Sequence, residues 1–530
     1  MVTNAAELAP ANTSDVDDVV VAAVARAHDW LEEGKESTSG SHATEQLAAL
    51  VRDPNGVSFT MDFVDRVARP ESNKVAANAM RKITEAPDFL GEFNKALLNL
   101  GSFFAPYFPW IVMPMARARM RQMVGHLVLD AGSHALNKRL EEANAEGVQL
   151  NLNLLGEEVL GEKEAKDRTR RTIELIRNPN VTYVSVKASS LCSQLNHWDY
   201  DGSLKRLKDR LRPVYEEAKK NGVFVNLDME EYHDLDLTID LFKEIISEDE
   251  FKDFEAGIVL QAYLPDTIYA LKDLAEFAVK RVEEGGTPIK VRLVKGANIS
   301  MERVEGEIKG WHQAPYMVKA ETDANYFRLL DFILQPEYAD AVHIGVGSHN
   351  LFTSALAWEL ATKRGVERQV NAEMLQGMAP AQARAVHEVY GELILYTPVV
   401  KPEDFDVAVS YLARRLEENS DRENFLYSLF APATKGGNQL TPWRSRRSSS
   451  TRRSTTAGAR SPARRATRTA PRSPAPRPPT SSASSTIPTP TQSSSTTAPG
   501  RSRLSRRSPA RSSTRRSPTS TRSTSSSPAA

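Results

Sequence analysis

Along this sequence, side chains that can carry charge or a proton stand where short apolar runs end. They are Lys187, then Asp228-Met229-Glu230-Glu231, Gln261-Ala262-Tyr263, Arg292 with Lys295-Gly296-Ala297, Ser348-His349-Asn350, Glu373 and Tyr396. An apolar run that ends in such a residue places an ionisable group where a buried element reaches the surface. Gathered at one mouth, these groups must pair with one another or hold a polar ligand, because unpaired buried charge is costly. A ligand bearing several acidic or polar groups is implied. Further on, Tyr411, Arg414, Arg415 and Glu418 stand at i, i+3, i+4 and i+7 and share one helical stripe. Two adjacent guanidiniums suit a carboxylate held bidentately, although such a stripe taken alone also describes a solvated, salt-bridged helix face.

The elements that must position these residues are eight β-rich runs, at 148–155, 182–187, 223–228, 257–263, 289–295, 342–348, 368–374 and 393–398. Several are apolar at nearly every position, as parallel strands covered on both faces are, and amphipathic helical stretches such as 204–219 and 235–246 lie between them. Eight β–α units predict a (β/α)8 barrel, whose functional groups belong at the carboxyl ends of the strands. Ahead of it, residues 1–145 read as helical without convincing strands. Val16, Val19, Val20, Ala23, Val24 and Ala27 mark one helix face that Trp30 and Leu31 continue, and 59–67, 73–83 and 120–143 follow the same rule. No catalytic constellation falls there. The barrel is expected over 146–432 and a low-complexity tail over 433–530.

The 68 basic and 68 acidic residues cancel over the 530-residue chain, but not locally. From Thr441 onward there are 19 arginines and no lysine, aspartate or glutamate, so 49 basic residues face all 68 acidic ones before that point. The Ser/Thr/Arg/Pro/Ala tail has no means of building a core and is expected to be disordered. It reads either as a basic arm for nucleic acid or an acidic membrane, or as a GC-rich coding sequence translated out of frame. Absence of lysine and acid over so long a stretch favours the second. The single cysteine, Cys192, makes no internal disulfide and no cysteine-based zinc site, and no metal site is expected. The opening carries no secretory pattern, and the apolar stretch 103–115 is too short and too proline-broken to span a bilayer. A cytoplasmic protein, at most peripheral on the inner face of the cell membrane, is expected.

Six segments in order carry a family likeness: 182–190, Leu227-Asp-Met-Glu-Glu231, Gln261-Ala-Tyr263, Val291-Arg-Leu-Val-Lys-Gly-Ala297, Ser348-His-Asn350 and Tyr411-Leu-Ala-Arg-Arg-Leu-Glu-Glu-Asn419. Together they resemble the proline dehydrogenases, in the style of the amino-terminal half of bifunctional bacterial proline-utilisation proteins. The resemblance covers roughly 120–432. It implies a distorted (β/α)8 barrel that binds FAD at the strand ends, oxidises L-proline to Δ1-pyrroline-5-carboxylate and passes electrons to a membrane quinone. It further implies that Lys187, Arg414 and Arg415 hold the proline carboxylate, that Asp228 orients this basic cluster, and that Tyr396 and Tyr411 wall the ring. Arg292 would sit by the flavin N5. Met229, Gln261, Lys295, Gly296, Ala297, Ser348 and His349 match the flavin-binding positions. The sequence departs from the pattern at Asn298, where an aromatic is common, at Ser348, where threonine is frequent, and at Glu373, where glutamine is frequent. The base that deprotonates proline stays open, with water one candidate.

Two rival readings remain. Lys187 or Lys295 could form a Schiff base in a lyase on the same fold, or the arginine tail could make this a nucleic-acid-binding protein, although the acidic body offers no docking surface. Beyond residue 440 there is no cysteine, no acid and no strand–glycine–helix pattern, so no aldehyde dehydrogenase activity is expected from this chain.

Overall fold

The computed structural model describes residues 13–36, 49–50, 52–83, 86–124, 127–156, 159, 161–401, 408, 411, 415 and 424–430. Its centre is a closed sheet of parallel strands: β2 (Val148–Leu154), β3 (Tyr183–Lys187), β4 (Phe224–Asp228), β5 (Ala256–Gln261), β6 (Ile289–Val294), β7 (Val342–Gly347), β8 (Val370–Leu375) and β9 (Leu393–Val400). Each strand pairs with the next in sequence, and β9 closes the ring by pairing with both β8 and β2. All eight predicted runs are strands, with ends shifted by no more than two residues. The run predicted from 368 starts late because Glu367–Gln369 is a 3-10 turn that precedes β8.

Burial explains the apolar runs. Every residue of β5 is buried, between the barrel interior and an outer layer that includes the helix Thr267–Glu283. The helix Thr13–Glu36 lies on the outer helices Leu351–Arg364 and Pro380–Tyr390. The face predicted from its periodicity is the buried one, with Ala27 and Trp30 almost wholly covered. A second, small core forms where Val67, Ala76, Ala77, Met80, Ala105 and Met113 meet among the following helices. The helical run expected over 120–143 is interrupted. The helix Pro109–Val124 ends, and β1 (Leu129–Asp130) pairs with β9 as an addition outside the ring. The helix Ser133–Ala145 follows a turn in which Asp130 Oδ1 accepts from Gly132 N at 2.7 Å. Aspartate before a glycine competes with helix by this local bond.

Candidate active site at the barrel mouth

The strand ends converge on a cleft of about 1040 Å³ that includes Lys187, Asp228, Met229, Gln261, Arg292, Lys295, Gly296, Ala297, Ser348, His349, Tyr396, Tyr411 and Arg415 among its walls. Thus every residue to which the resemblance gives a role meets in one place except Arg414, which, like Glu418 of the same stripe, lies outside the described residues.

Its floor is a chain of buried charges of alternating sign. Lys290 Nζ stands 2.7 Å from Glu373 Oε1, and Glu373 Oε2 stands 3.4 Å from Arg292 Nη1. Arg292 in turn donates to Asp228 Oδ1, and Tyr396 Oη donates to Asp228 Oδ2 at 2.9 Å. Asn226 Nδ2 adds a bond to Asp228 at 3.2 Å, and Asn153 donates to the Tyr396 hydroxyl. Burial opposes the charge on Arg292, but Asp228 and Glu373 outweigh it, and the guanidinium is held charged above its ordinary range. Burial also opposes Glu373 ionisation, yet Lys290 and Arg292 prevail and its pKa falls. Lys290 goes the other way, because burial pulls its ammonium below the ordinary value despite Glu373. Burial, then Asp228, pushes the Tyr396 phenol well up, so it remains a donor.

Nothing in the sequence motifs singles out Lys290, and Glu373 stands there as a strand-end charge and as a departure from the family pattern. The structure places Glu373 inside the barrel, where glycine makes its room: a Cβ on Gly345 would stand 2.1 Å from Glu373 Oε1. The signal available in the sequence was Lys290 two residues before Arg292, the spacing that puts both side chains on one face of a strand.

Lys187 is the in-register neighbour of Asp228, but its ammonium pairs with Glu230, which also accepts from Ser189. Asp228 therefore orients Arg292 and Tyr396, and Glu230 holds Lys187. Glu230 lay within a quoted segment without a role. Tyr411 and Arg415 act as a unit, the guanidinium 5.2 Å from the ring centroid.

On the other side of the cleft, Lys295 Nζ bonds Asp323 at 2.6 Å and Thr353 Oγ1 at 3.3 Å, and Lys319 reaches the same carboxylate at 3.4 Å. Two cations share one anion there. Gly296 has φ +112°, and a Cβ on it would stand 2.5 Å from the Tyr263 ring, so backbone rather than side chain faces the cleft. Gln261 Nε2 donates to the Glu230 carbonyl at 3.2 Å, whereas its Oε1 is buried without a partner. Ser348 Oγ accepts from Asn350 N at 3.1 Å, and Asn350 caps the helix Leu351–Arg364. His349 Nε2 accepts from Leu375 N at 2.8 Å. Burial, then Arg415, lowers its pKa to about 4, so the ring is neutral. At the rim, His233 Nδ1 lies 3.3 Å from Glu231 and 3.7 Å from Glu305.

These features fit a dinucleotide carrying a heteroaromatic ring. The cleft is at the upper end of the ~300–1,000 Å³ typical of ligand pockets, the orphaned Gln261 oxygen is an acceptor awaiting a ring N–H, and the Lys295/Lys319 pair suits phosphate.

Comparison with known proteins agrees. The profile of the family described as proline dehydrogenase matches residues 136–428. The chain is 27% identical over 325 residues to the bifunctional protein PutA of Klebsiella aerogenes, covering 57% of this chain and 24% of that one. It is 25% identical over 294 residues to proline dehydrogenase 2 of Bacillus subtilis, covering 54% and 84%. Among solved structures, proline utilization A from Corynebacterium freiburgense aligns with TM-score 0.55 at 51% identity, over 68% of this chain and 37% of that one. The protein of the same name from Bdellovibrio bacteriovorus, inactivated by N-propargylglycine, aligns with TM-score 0.66 at 29% identity, over 80% and 44%. The chain thus spans less than half the length of these bifunctional relatives.

Proposed function

The chain belongs to the proline dehydrogenase family, and from that premise we propose that it oxidises L-proline to Δ1-pyrroline-5-carboxylate with FAD, passing the electrons to a membrane quinone. The observation that carries the reading is the single cleft joining the Gly296/Gln261/Lys295 side to the Lys187/Tyr396/Arg415 side across the charged floor. FAD, when bound, accepts the hydride from the ring carbon beside the proline nitrogen. Gln261, Met229, Lys295, Gly296, Ala297, Ser348 and His349 would hold it, His349 indirectly by tying the turn after β7 to the end of β8.

Lys187, Arg414 and Arg415 would bind the proline carboxylate, with Tyr396 and Tyr411 against the ring. Asp228 fixes the Arg292 guanidinium and the Tyr396 hydroxyl from below. Arg292 supplies a permanent positive charge at the floor, preorganised for negative charge that develops above it. The His349 Nε2 lone pair is already taken by Leu375 N, so His349 is not the base that deprotonates the proline ammonium.

The lyase alternative gains no support from this geometry. Lys187 and Lys295 are each held in an ion pair, with Glu230 and Asp323, whereas a Schiff base needs the lysine nitrogen at a substrate carbonyl. An absorbance spectrum tests the proposal: the purified protein should show flavin bands that L-proline bleaches. A colourless protein that FAD cannot reconstitute refutes it. Among the described residues no helix is long and apolar enough to cross a membrane, so access to quinone would be from the bilayer surface.

A further inference from the structure

Glu230 follows Asp228 and Met229 at the end of β4, and side chains from four elements hold it. Its carboxylate accepts from Lys187 at the end of β3 and from Ser189 in the short helix Ala188–Leu191. Its main-chain carbonyl accepts from Gln261 Nε2 at the end of β5, 3.2 Å away, and from Asn298 Nδ2 at 3.3 Å. A carbonyl oxygen has two lone pairs, and here each meets an amide. One residue thereby joins the two sides of the cleft. Its carbonyl holds the glutamine proposed for the flavin, and its carboxylate holds the lysine proposed for the substrate carboxylate.

Asn298 is the position at which the sequence departs from the family's common aromatic. It stands at the N-cap of the helix Ile299–Lys309, where an asparagine side chain ordinarily accepts from an N–H of the first turn. Here the side chain makes no cap, and its amide turns to Glu230 instead. Asn298 and Gln261 fix the Glu230 peptide unit, and the Glu230 carboxylate fixes the Lys187 ammonium, so a shift at the carbonyl is passed to the cation. Lys187 has use for such a hold. Its four-carbon stem is flexible, and left free at an open mouth it would have to be ordered by the ligand.

The Glu230 charge also opposes an incoming carboxylate. With side-chain exposures of 22% and 23%, Lys187 and Glu230 sit where solvent screens such a repulsion to about fivefold in affinity or less. A well-placed charge-assisted contact is worth roughly 10- to 150-fold. Positioning is the larger effect.

We infer that Asn298 is a positioning residue for the substrate carboxylate, acting through Glu230 on Lys187. The inference rests on the carboxylate role proposed above for Lys187, and not on the hydride chemistry.

The test is calorimetric titration of the full chain, in the presence of FAD, with cyclopentanecarboxylate, the proline ring with carbon in place of nitrogen. Glu230→Ala should weaken binding roughly tenfold. Asn298→Leu keeps the side-chain volume without the amide and should weaken it roughly two- to tenfold, the worth of one neutral hydrogen bond. In the double variant Asn298→Leu should add nothing, because the link from the carbonyl to Lys187 is already gone. If Asn298→Leu does not fold, Asn298→Ala completes the same cycle. Unchanged affinity in the Asn298 variant overturns the inference, since the residue then only fills space. Additive losses in the double variant overturn it by giving Asn298 another route, and tighter binding in Glu230→Ala overturns it by reducing Glu230 to an offset of the Lys187 charge. A wild-type protein that does not bind the carboxylate overturns it together with the Lys187 assignment. Bleaching of the flavin by proline reads the proposed oxidation separately: its absence refutes that activity and leaves the calorimetric result standing.

Discussion

Glu373 joins the two buried cations of the barrel floor, and Glu373→Gln measures what that junction is worth. The carboxylate lies 2.7 Å from Lys290 Nζ, with side-chain exposures of 2% and 6%, so solvent screening gives no relief. In the variant Arg292 keeps Asp228, but Lys290 has no other carboxylate within ion-pairing distance among the described residues. It can stay charged, at the ~3–5 kcal/mol cost of a broken buried pair. Or it can lose its proton: bringing a lysine of pKa about 10.4 to neutrality at pH 7 costs about 4.6 kcal/mol at ~1.36 kcal/mol per unit. The two routes bracket the same loss, about 3–5 kcal/mol. They differ in pH dependence. Burial already depresses the Lys290 pKa, and without Glu373 it falls further, so between that value and about 10.4 the unfolded chain binds more protons than the folded one and stability rises with pH. Urea unfolding followed by circular dichroism should show the full deficit at pH 7 and, if the proton is lost, about 2–3 kcal/mol of it regained by pH 9. Adding Lys290→Met should restore most of the stability at both pH values. A deficit below about 1 kcal/mol at pH 7, or one that Lys290→Met does not relieve, refutes the reasoning.

Arg415→Met and Arg414→Met should each raise the apparent KM for proline by roughly 10- to 150-fold, the worth of a charge-assisted contact of about 1.5–3 kcal/mol. Flavin content should be normal in both; unchanged KM in both contradicts the carboxylate assignment. Gly296→Ala, at φ +112° and with its Cβ 2.5 Å from the Tyr263 ring, should lower FAD occupancy and cost at least ~1–3 kcal/mol in strain; a stable, fully loaded variant argues against a backbone cradle. His349, held at about 4 against about 6.5 when free, binds fewer protons folded than unfolded between those values, so its contribution is complete above about pH 6.5 and lost as pH falls toward 4. At 2.5 units that is about 3.4 kcal/mol, and His349→Gln should flatten the acid limb of thermal stability; an identical acid limb in both proteins removes His349 as its source.

The barrel was legible because parallel strands buried on both faces announce themselves as apolar runs. In β5 every residue is buried, and the pattern needs no knowledge of neighbours. Helix Thr13–Glu36 was legible for the same local reason, through the face that ends at Trp30 and Leu31. β1 was not. Two residues have no period, and Leu129–Asp130 is a strand only because Val399 and Val400 of β9 lie beside it.

Site membership was legible at strand ends, but the pairings were not, because each joins strands far apart in sequence. Glu373, seen alone, is a departure from a family pattern that more often has glutamine. Seen with its neighbours it is one part of a three-part arrangement. Gly345 on β7 pairs in register with Arg292 on β6 and Asn371 on β8, and a Cβ on it would stand 2.1 Å from Glu373 Oε1 and 3.0 Å from Lys290 Cε. A side chain on Gly345 would occupy the carboxylate's place, and a neutral residue at 373 would strand the Lys290 ammonium. Glycine, lysine and glutamate therefore require one another, and none of the three can be interpreted from its own position in the chain. The same junction sets the field at the mouth. With Lys290 facing Glu373 and Arg292 shared between Glu373 and Asp228, the floor's charges cancel. The substrate carboxylate must then be met by cations above it, which is the work assigned to Lys187, Arg414 and Arg415.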